Sequence, residues 1–379
     1  MTNTVEFIGM IAPQQYSEII PPSGPVVDPD FTIRFAKAHE DAGFDRVLIG
    51  YFSTAPDGFI VASWVLQATG RLGVLLAHRP GFVAPTVAAR KLATLDQFSG
   101  GRLALHVITG GSDEDQARDG DFLDKAGRYR RTDEYLDVLR RTWTATEPFD
   151  VDGEFYSVRR AFSAVRCVRE PHLPIYFGGS SPEAVAVSAK HADVYALWGE
   201  PLAEAAAHIE EVKAAAADHD RYPAISLSTR PILAATDAEA WDRAYRILEQ
   251  VKRHAPRSAS VEPQNAGSQR LLAAAAKGDV LDRCLFTPLA TASGARGNST
   301  ALVGSVETVT AALLDYYEIG VTTFLIRGYD PYEDTLGYGE LIARVREQVA
   351  HRPGARSLLS APHYALDLAP VSDPGRQRC

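Results

Sequence analysis

Short, β-branched, nearly continuous apolar runs alternate along the chain with longer stretches whose apolar residues recur every three or four positions. The first pattern reads as strands of a sheet buried on both faces and the second as amphipathic helices, so the chain reads as repeated βα units around a parallel sheet. Eight runs qualify as strands: Val5 to Ile11, Arg46 to Gly50, Leu72 to His78, Leu103 to Ile108, Ile175 to Phe177, Val194 to Leu197, Ile225 to Leu233 and Thr323 to Arg327. Between them, Phe31 to Ala42 stops at Gly43 and Thr86 to Phe98 stops at Gly100–Gly101, as helices with glycine C-caps do. Tyr129 to Trp143 and Pro182 to His191 follow turn-forming residues and read as helices too. Eight units predict a closed α/β fold, the (β/α)8 TIM barrel. A doubly wound sheet is the weaker reading, because the first strand runs into the proline-rich loop IAPQQYSEIIPPSGPVVDPDF and no GxGxxG appears.

Two stretches break the pattern. Arg253 to Thr300 is polar and glycine-bearing, an insertion before the last strand with the length of a mobile lid. Arg352 to Cys379, rich in Pro, Ser and Arg, reads as a C-terminal arm or frayed tail, leaving residues 1–351 as one barrel domain.

Composition narrows the class of function. Hydrophobic residues at 46% and charged residues at 23% supply an ordinary globular core. The net charge of −9 gives no global positive field for nucleic acid or an anionic membrane, so an anionic ligand must be met by local arginines. Cys167, Cys284 and Cys379 are odd in number and widely spaced, so neither a disulfide framework nor a cysteine metal site is expected, and no metal at all. With no basic leader and no apolar run near ~18 residues, the cytoplasm is the expected location.

In a barrel the ligand site lies at the C-terminal ends of the strands. In YFGGSSPEAV the strand ends in Gly178–Gly179, followed by Ser180 and Ser181, then Pro182 and Glu183 in the first helical turn. Glycines let backbone approach a ligand, and free N–H groups at a helix start favour phosphate; plain helix capping by SSPE explains the same residues without a ligand. HVITGG sets His106, Thr109, Gly110 and Gly111 at the opening of a long acidic loop, where a hydroxyl and two glycines suit a planar, polar-edged ring. GRYRR places Tyr129 among Arg128, Arg130 and Arg131, which would otherwise pair with Glu134 and Asp137. No HExxH, GxSxG or GxxxxGK[ST] occurs, which leaves acid–base or redox chemistry.

The segments AHRPGFVAPTVAARKLATLDQFSGGRLALHVITG, GRYRRTDEYLDVLRRTW, PIYFGGSSPEAVAVSAKHADVYALWGEP and STALVGSVETVTAALLDYYEIGVTTFLIRGY together resemble the bacterial-luciferase-like flavin monooxygenases, within them most of all alkanesulfonate monooxygenase. The resemblance runs from about Glu6 to Val349 in unbroken order. It implies reduced FMN (FMNH2) delivered by a separate NAD(P)H-dependent flavin reductase and O2 as co-substrate. A C4a-peroxyflavin would then oxygenate a small molecule, in the sulfonate case releasing sulfite and an aldehyde, from a homodimer or homotetramer. It also implies that Tyr129, Gly179, Ser180 and Ser181 hold the FMN phosphate. His106 and Thr109 would face the ring or ribityl chain, and Trp198, Arg230, Arg296 and Tyr329 would line the catalytic side. A guanidinium in a dry pocket suits an anionic substrate or intermediate. The chain departs from the sulfonate pattern at Ala55, Ile232 and Pro331, where a cysteine and two histidines are missing, and at His106, where asparagine is usual. Arg296 also stands one position off the usual arginine.

Overall fold

The computed structural model describes residues 4–254, 263 and 265–352. The tail expected from Arg352 to Cys379 lies, apart from Arg352, outside the described residues. In chain order the strands are β1 (Glu6–Ile11), β2 (Arg46–Ile49), β3 (Gly73–His78), β4 (Leu103–Val107), an inserted hairpin β5 (Phe149–Asp152) and β6 (Ser157–Ala161), then β7 (Ile175–Gly178), β8 (Val194–Trp198) and β9 (Ala224–Leu233). A second insertion carries β10 (Val280–Leu281), β11 (Leu285–Phe286) and β12 (Ala301–Gly304), and β13 (Val321–Ile326) follows. Pairing runs β1–β2–β3–β4–β7–β8–β9–β13 and back to β1, all parallel, which closes an eight-stranded barrel. These are the eight runs expected as strands.

The helices are α1 (Pro29–Asp41), α2 (Gly58–Ala68), α3 (Pro85–Ser99), α4 (Asp113–Arg118), α5 (Lys125–Thr144), α6 (Pro182–His191), α7 (Leu202–Ala217), α8 (Asp237–His254), α9 (Ala266–Ala275), α10 (Pro288–Ser293), α11 (Val306–Glu318) and α12 (Pro331–Ala350). Several start on a side-chain cap: Asp28, Asp57, Ser112, Asp124, Ser181, Ser305 and Asp330 each accept a backbone N–H from the first turn. The α3 terminus uses Gly100 at φ 66°, the left-handed residue that GG predicts.

Alternation along each strand sends every second side chain inward. Ile8, Leu75, Ala104, Tyr176, Val194 and Ala224 fill the middle of the barrel with Leu48 and Leu325 against them. The N-terminal end is closed by a buried polar plug in which Glu6 accepts from Arg46 Nε at 2.9 Å, Tyr176 Oη at 2.6 Å and Thr323 Oγ1 at 3.2 Å. With every donor partnered, this plug is tolerated in the interior.

The stretch anticipated as a lid loop from Arg253 to Thr300 holds, in its described part, α9, β10, β11 and α10. β9 runs past the barrel rim and its second half pairs with β12, Arg230 opposite Ala301, so the insertion extends the barrel sheet sideways. A second core of Ile232, Ile247, Leu248, Phe286, Leu289 and Val303 holds it. The short runs LLAAAA and LF are too brief to show a period, which is why the sequence pattern reads there as loop. Among the described residues no helix is long and apolar enough to cross a membrane.

Candidate active site

Carrying the inward alternation one step past the filled layer brings Met10, Gly50, Ala77, His106, Gly178, Ala196, Ser228 and Arg327 to the C-terminal rim. Two have no side chain and three carry only a methyl or hydroxymethyl group, so the centre of the rim stays hollow. All but Ala77 are partly exposed, as are Leu48 and Leu325 one layer below, so solvent reaches well into the barrel. The tightness lies in the wall: a Cβ on Gly178 would stand 2.7 Å from the Ala196 carbonyl oxygen. Into this hollow faces His106, whose Nδ1 is buried without a protein partner. Burial pulls its pKa down to about 4, leaving a neutral ring with an uncommitted polar atom.

Beside the hollow, β7 turns into α6 through Gly179, at φ 132°, and Ser180. A Cβ on Gly179 would meet the Ala184 Cβ at 2.8 Å and the Tyr129 Oη at 3.5 Å, so the turn, the first turn of α6 and the tyrosine of α5 close on one small space. Ser181 caps α6, its Oγ accepting from Ala184 N at 3.4 Å, which bears out the capping reading. Phosphate binding at such a helix start uses the remaining N–H groups and the positive end of the helix dipole. Tyr195 Oη donates to the Gly179 carbonyl, fixing the turn from behind. The carboxylate of Glu183 is drawn below its ordinary range by its own backbone N–H and by Ser181, so it shares these donors. Thr109 and Gly110, half-buried, lie past the end of β4.

Of the arginines next to Tyr129, Arg130 faces solvent as the sequence suggests, whereas Arg128 and Arg131 are drawn inward, and all three form ion pairs with carboxylates other than Glu134 and Asp137. Arg128 is buried, donating to the Leu123 carbonyl at 2.6 Å and pairing with Asp113 at 2.8 Å. Arg131 pairs with Asp121 and Arg130 with Glu154. Glu134 instead accepts the Phe155 and Tyr156 N–H groups of the inserted hairpin, and Asp137 takes Lys190 at 2.8 Å. Asp133, Asp137 and His191 come close enough to suit a cation, but the Lys190 ammonium already bridges the two carboxylates.

Across the rim, Arg230 is 1% exposed. Its Nη1 and Nη2 donate to Glu18 Oε1 and Oε2, both at 2.9 Å, and Nη2 also to the Gly328 carbonyl at 3.1 Å. The guanidinium lies 3.4 Å from the centroid of the Tyr329 ring. Arg327 donates Nη2 to Glu18 Oε1 at 2.6 Å and Nη1 to Met10 Sδ at 3.4 Å. Burial opposes ionisation of Glu18, but the two guanidiniums outweigh it and hold the carboxyl well below the usual range. Tyr329 and Arg230 are thus brought together, with Glu18 of the β1 loop as the carboxylate partner. A cavity of about 280 Å³ opens beside this group, bounded by the chain from Met10 to Glu18, by Phe35 and His39 of α1, and by Arg327, Pro331 and Thr335.

Trp198 stands with its ring against α9, 2.8 Å from where a Cβ on Gly267 would sit. Arg296, expected to line the substrate side, is instead exposed, on the turn between Ala295 at φ 50° and Gly297 at φ 68°. One feature escapes the sequence reading. Glu18 is the lone acid between Glu6 and Asp28 in the proline-rich loop, a signal that was available. Arg79, beyond β3, lies under the Tyr51 ring at 4.5 Å and is paired with Asp115 at 2.6 Å, which also accepts from Ser53 Oγ at 2.6 Å. Next to it Gln116 is fully buried with both amide atoms unpartnered, its Nε2 1.5 Å from the Cβ position of Gly110, which only glycine tolerates.

Comparison with known proteins gives a match to the luciferase-like monooxygenase family over residues 6–323. Among solved structures, a riboflavin lyase with modified FMN and riboflavin aligns with TM-score 0.77 at 17% identity, covering 93% of each chain. EDTA monooxygenase from Chelativorans sp. BNC1 aligns with TM-score 0.70 at 15% identity, over 91% of this chain and 93% of that one. The oxygenating constituent of 3,6-diketocamphane monooxygenase from Pseudomonas putida, in complex with FMN, aligns with TM-score 0.66 at 18% identity, over 91% and 98%. At these identities the structures are alike in fold.

Proposed function

The chain belongs to the luciferase-like monooxygenase family and is a flavin-dependent monooxygenase, and from that premise we propose that it uses reduced FMN and O2 to oxygenate a small organic molecule at the barrel rim. The observation that carries this reading is the open, small-residue hollow beside a glycine–serine helix start: one accommodates a flat ring and the other a phosphate. The residues fit FMN. Gly179, Ser180, Ser181 and Tyr129 would hold the phosphate, Gly178 and Ala196 would border the ring, and His106 Nδ1 and Thr109 would offer hydrogen bonds to its polar edge or the ribityl chain. When bound, reduced FMN supplies two electrons, so that one oxygen atom of O2 enters the substrate and the other leaves as water.

The protein's own work is then binding, orientation and exclusion of water. His106 stays neutral, so it bonds to a ligand without adding charge. Trp198 and α9 cover the rim from the side of β8, and the inserted lobe braces β9 where Arg230 emerges. A separate NAD(P)H-dependent reductase would deliver the flavin. For the substrate, an alkanesulfonate draws support from Arg230, Trp198 and Tyr329. Against it stand Ala55, Ile232 and Pro331, the exposed position of Arg296, and the engagement of Arg230 by Glu18. A non-sulfonate substrate, oxidised at a heteroatom or by Baeyer–Villiger insertion, is the better fit.

Oxygen uptake with chemically reduced FMN, against sulfonates, sulfones, ketones and amines, tests the proposal. Substrate-dependent product with little hydrogen peroxide is the expected result; uptake that yields peroxide alone with every compound overturns it. Sulfite release would restore the sulfonate reading.

A further inference from the structure

The ion cluster at the rim specifies which charges the substrate side accepts. A guanidinium offers an oxyanion two forked edges: Nη1 with Nη2, or Nε with an Nη. On Arg230 the first edge is taken by Glu18, and Nη2 also donates to Gly328 O, so the second edge keeps only Nε, a single buried donor without a protein partner and not a fork. One face of the plane is covered by the Tyr329 ring. On Arg327 one terminal nitrogen is held by the same carboxylate and the other by Met10 Sδ. Two cations against one anion leave one surplus positive charge, but on groups whose terminal nitrogens already hold Glu18, Gly328 O or Met10 Sδ. What remains along the cavity is neutral: amides of Gln14 and Gln15, the Tyr16 ring, and the apolar Met10 and Ile11.

We propose that Glu18 is a specificity-determining residue: by holding Arg230 and Arg327 it reserves the rim for an uncharged substrate and turns away sulfonates and carboxylates. An anionic headgroup would have to displace a carboxylate that belongs to the same chain. A tethered partner competes at an effective concentration of order millimolar or more, whereas a free ligand competes only at its own concentration. An uncharged molecule meets no such competition and finds amide, hydroxyl and thioether partners. The inference rests on the rim being the substrate site, and it names the class of substrate that site takes.

Calorimetric titration of the flavin-free protein with octane-1-sulfonate and with the uncharged methyl octyl sulfone tests it, with FMN titrated separately. In the native protein the sulfonate binds at least tenfold more weakly than the sulfone, or not detectably. In Glu18→Gln the sulfonate gains at least tenfold while the sulfone changes less than twofold. Sulfonate binding in the native protein equal to or tighter than sulfone binding overturns the proposal, as does a folded Glu18→Gln that gains no sulfonate affinity. Should circular dichroism show that variant unfolded, the native comparison decides alone. Failure of FMN to bind would undo the flavin reading and leave the charge selectivity standing or falling on the calorimetry.

Discussion

Gly179→Ala is the sharpest probe of the proposed phosphate cradle. The residue sits at φ 132°, a conformation L side chains rarely adopt, and its new Cβ would stand 2.8 Å from the Ala184 Cβ. Holding a non-glycine residue in such a region costs about 1–3 kcal/mol. Carbon atoms prefer about 3.5–4.0 Å, and overpacking of this kind costs a further ~1–3 kcal/mol. The protein has two ways to meet a strain of about 2–6 kcal/mol. It can keep the turn and lose stability, or shift the turn away from α6 and lose the cradle. In the second case even ~2 kcal/mol corresponds to about a 30-fold weaker FMN complex.

The assay is quenching of FMN fluorescence on titration, paired with thermal unfolding of the same preparations. Gly70→Ala is the control, because it lies ahead of β3, at the far end of the barrel from the turn, and nothing beyond its chain neighbours lies within 4 Å of its Cβ position. Gly179→Ala is expected to weaken FMN at least tenfold, with a lowered midpoint only to the extent that the turn holds; Gly70→Ala should do neither. A lowered midpoint with unchanged FMN affinity would place the phosphate elsewhere. An unchanged midpoint and affinity would refute the strained, close-packed turn itself.

Glu183→Gln removes a carboxylate that shares the donors of the α6 terminus, so FMN should bind about two- to fivefold more tightly at low salt, measured by the same titration; weaker binding would make Glu183 a ligand partner. Arg230→Met leaves Glu18 with Arg327 alone and should cost about 3 kcal/mol by denaturant unfolding, the low end for a broken buried pair because Glu18 is 29% exposed. Adding Glu18→Leu should recover at least half of that loss, and an additive double variant would show the pair to be uncoupled. His39, His78 and His106 are each pulled by burial to about 4, below the unfolded value near 6.5. The stability they confer as neutral rings is therefore complete above pH 6.5 and lost as the pH falls toward 4, at about 1.4 kcal/mol per pH unit for each ring. Unfolding free energies between pH 7 and 4.5 should show that slope, and a flat profile would mean these rings gain protons without opening the fold.

The barrel was legible because its strands are buried on both faces. Runs such as GVLLAH and LALHV carry a single histidine each as their polar position, and glycines follow within a few residues, Gly81 after the first and Gly110–Gly111 after the second. The β5–β6 hairpin, FDVD and SVRRA, is largely exposed and polar, so no hydrophobic signal announces it. The same contrast divides the candidate site. The Gly178–Ser181 turn is local, and its residues declare in sequence what the backbone must do. The ion cluster is not: Glu18 and Arg230 are 212 residues apart and meet only because barrel closure brings the β1 loop across the end of β9. Sequence marked Arg230 as a guanidinium suited to an anion, but that the anion is the chain's own Glu18 depends on which loop crosses the rim.

That dependence bears on how charge is distributed over the site. At α6 the positive partial charges belong to backbone N–H groups, whose competitor Glu183 is exposed, so the proposed phosphate would displace it at small cost. At β9 and β13 the positive charges are guanidiniums, and their carboxylate is gripped from both sides and ringed by protein. The two ends of the hollow therefore differ in what an incoming anion must overcome. On the proposed reading one end admits negative charge, whereas the other is already neutralised to within one unit. A ligand spanning the rim would then be oriented by that difference, with its phosphate at α6 and its uncharged end toward the Arg230–Glu18 group.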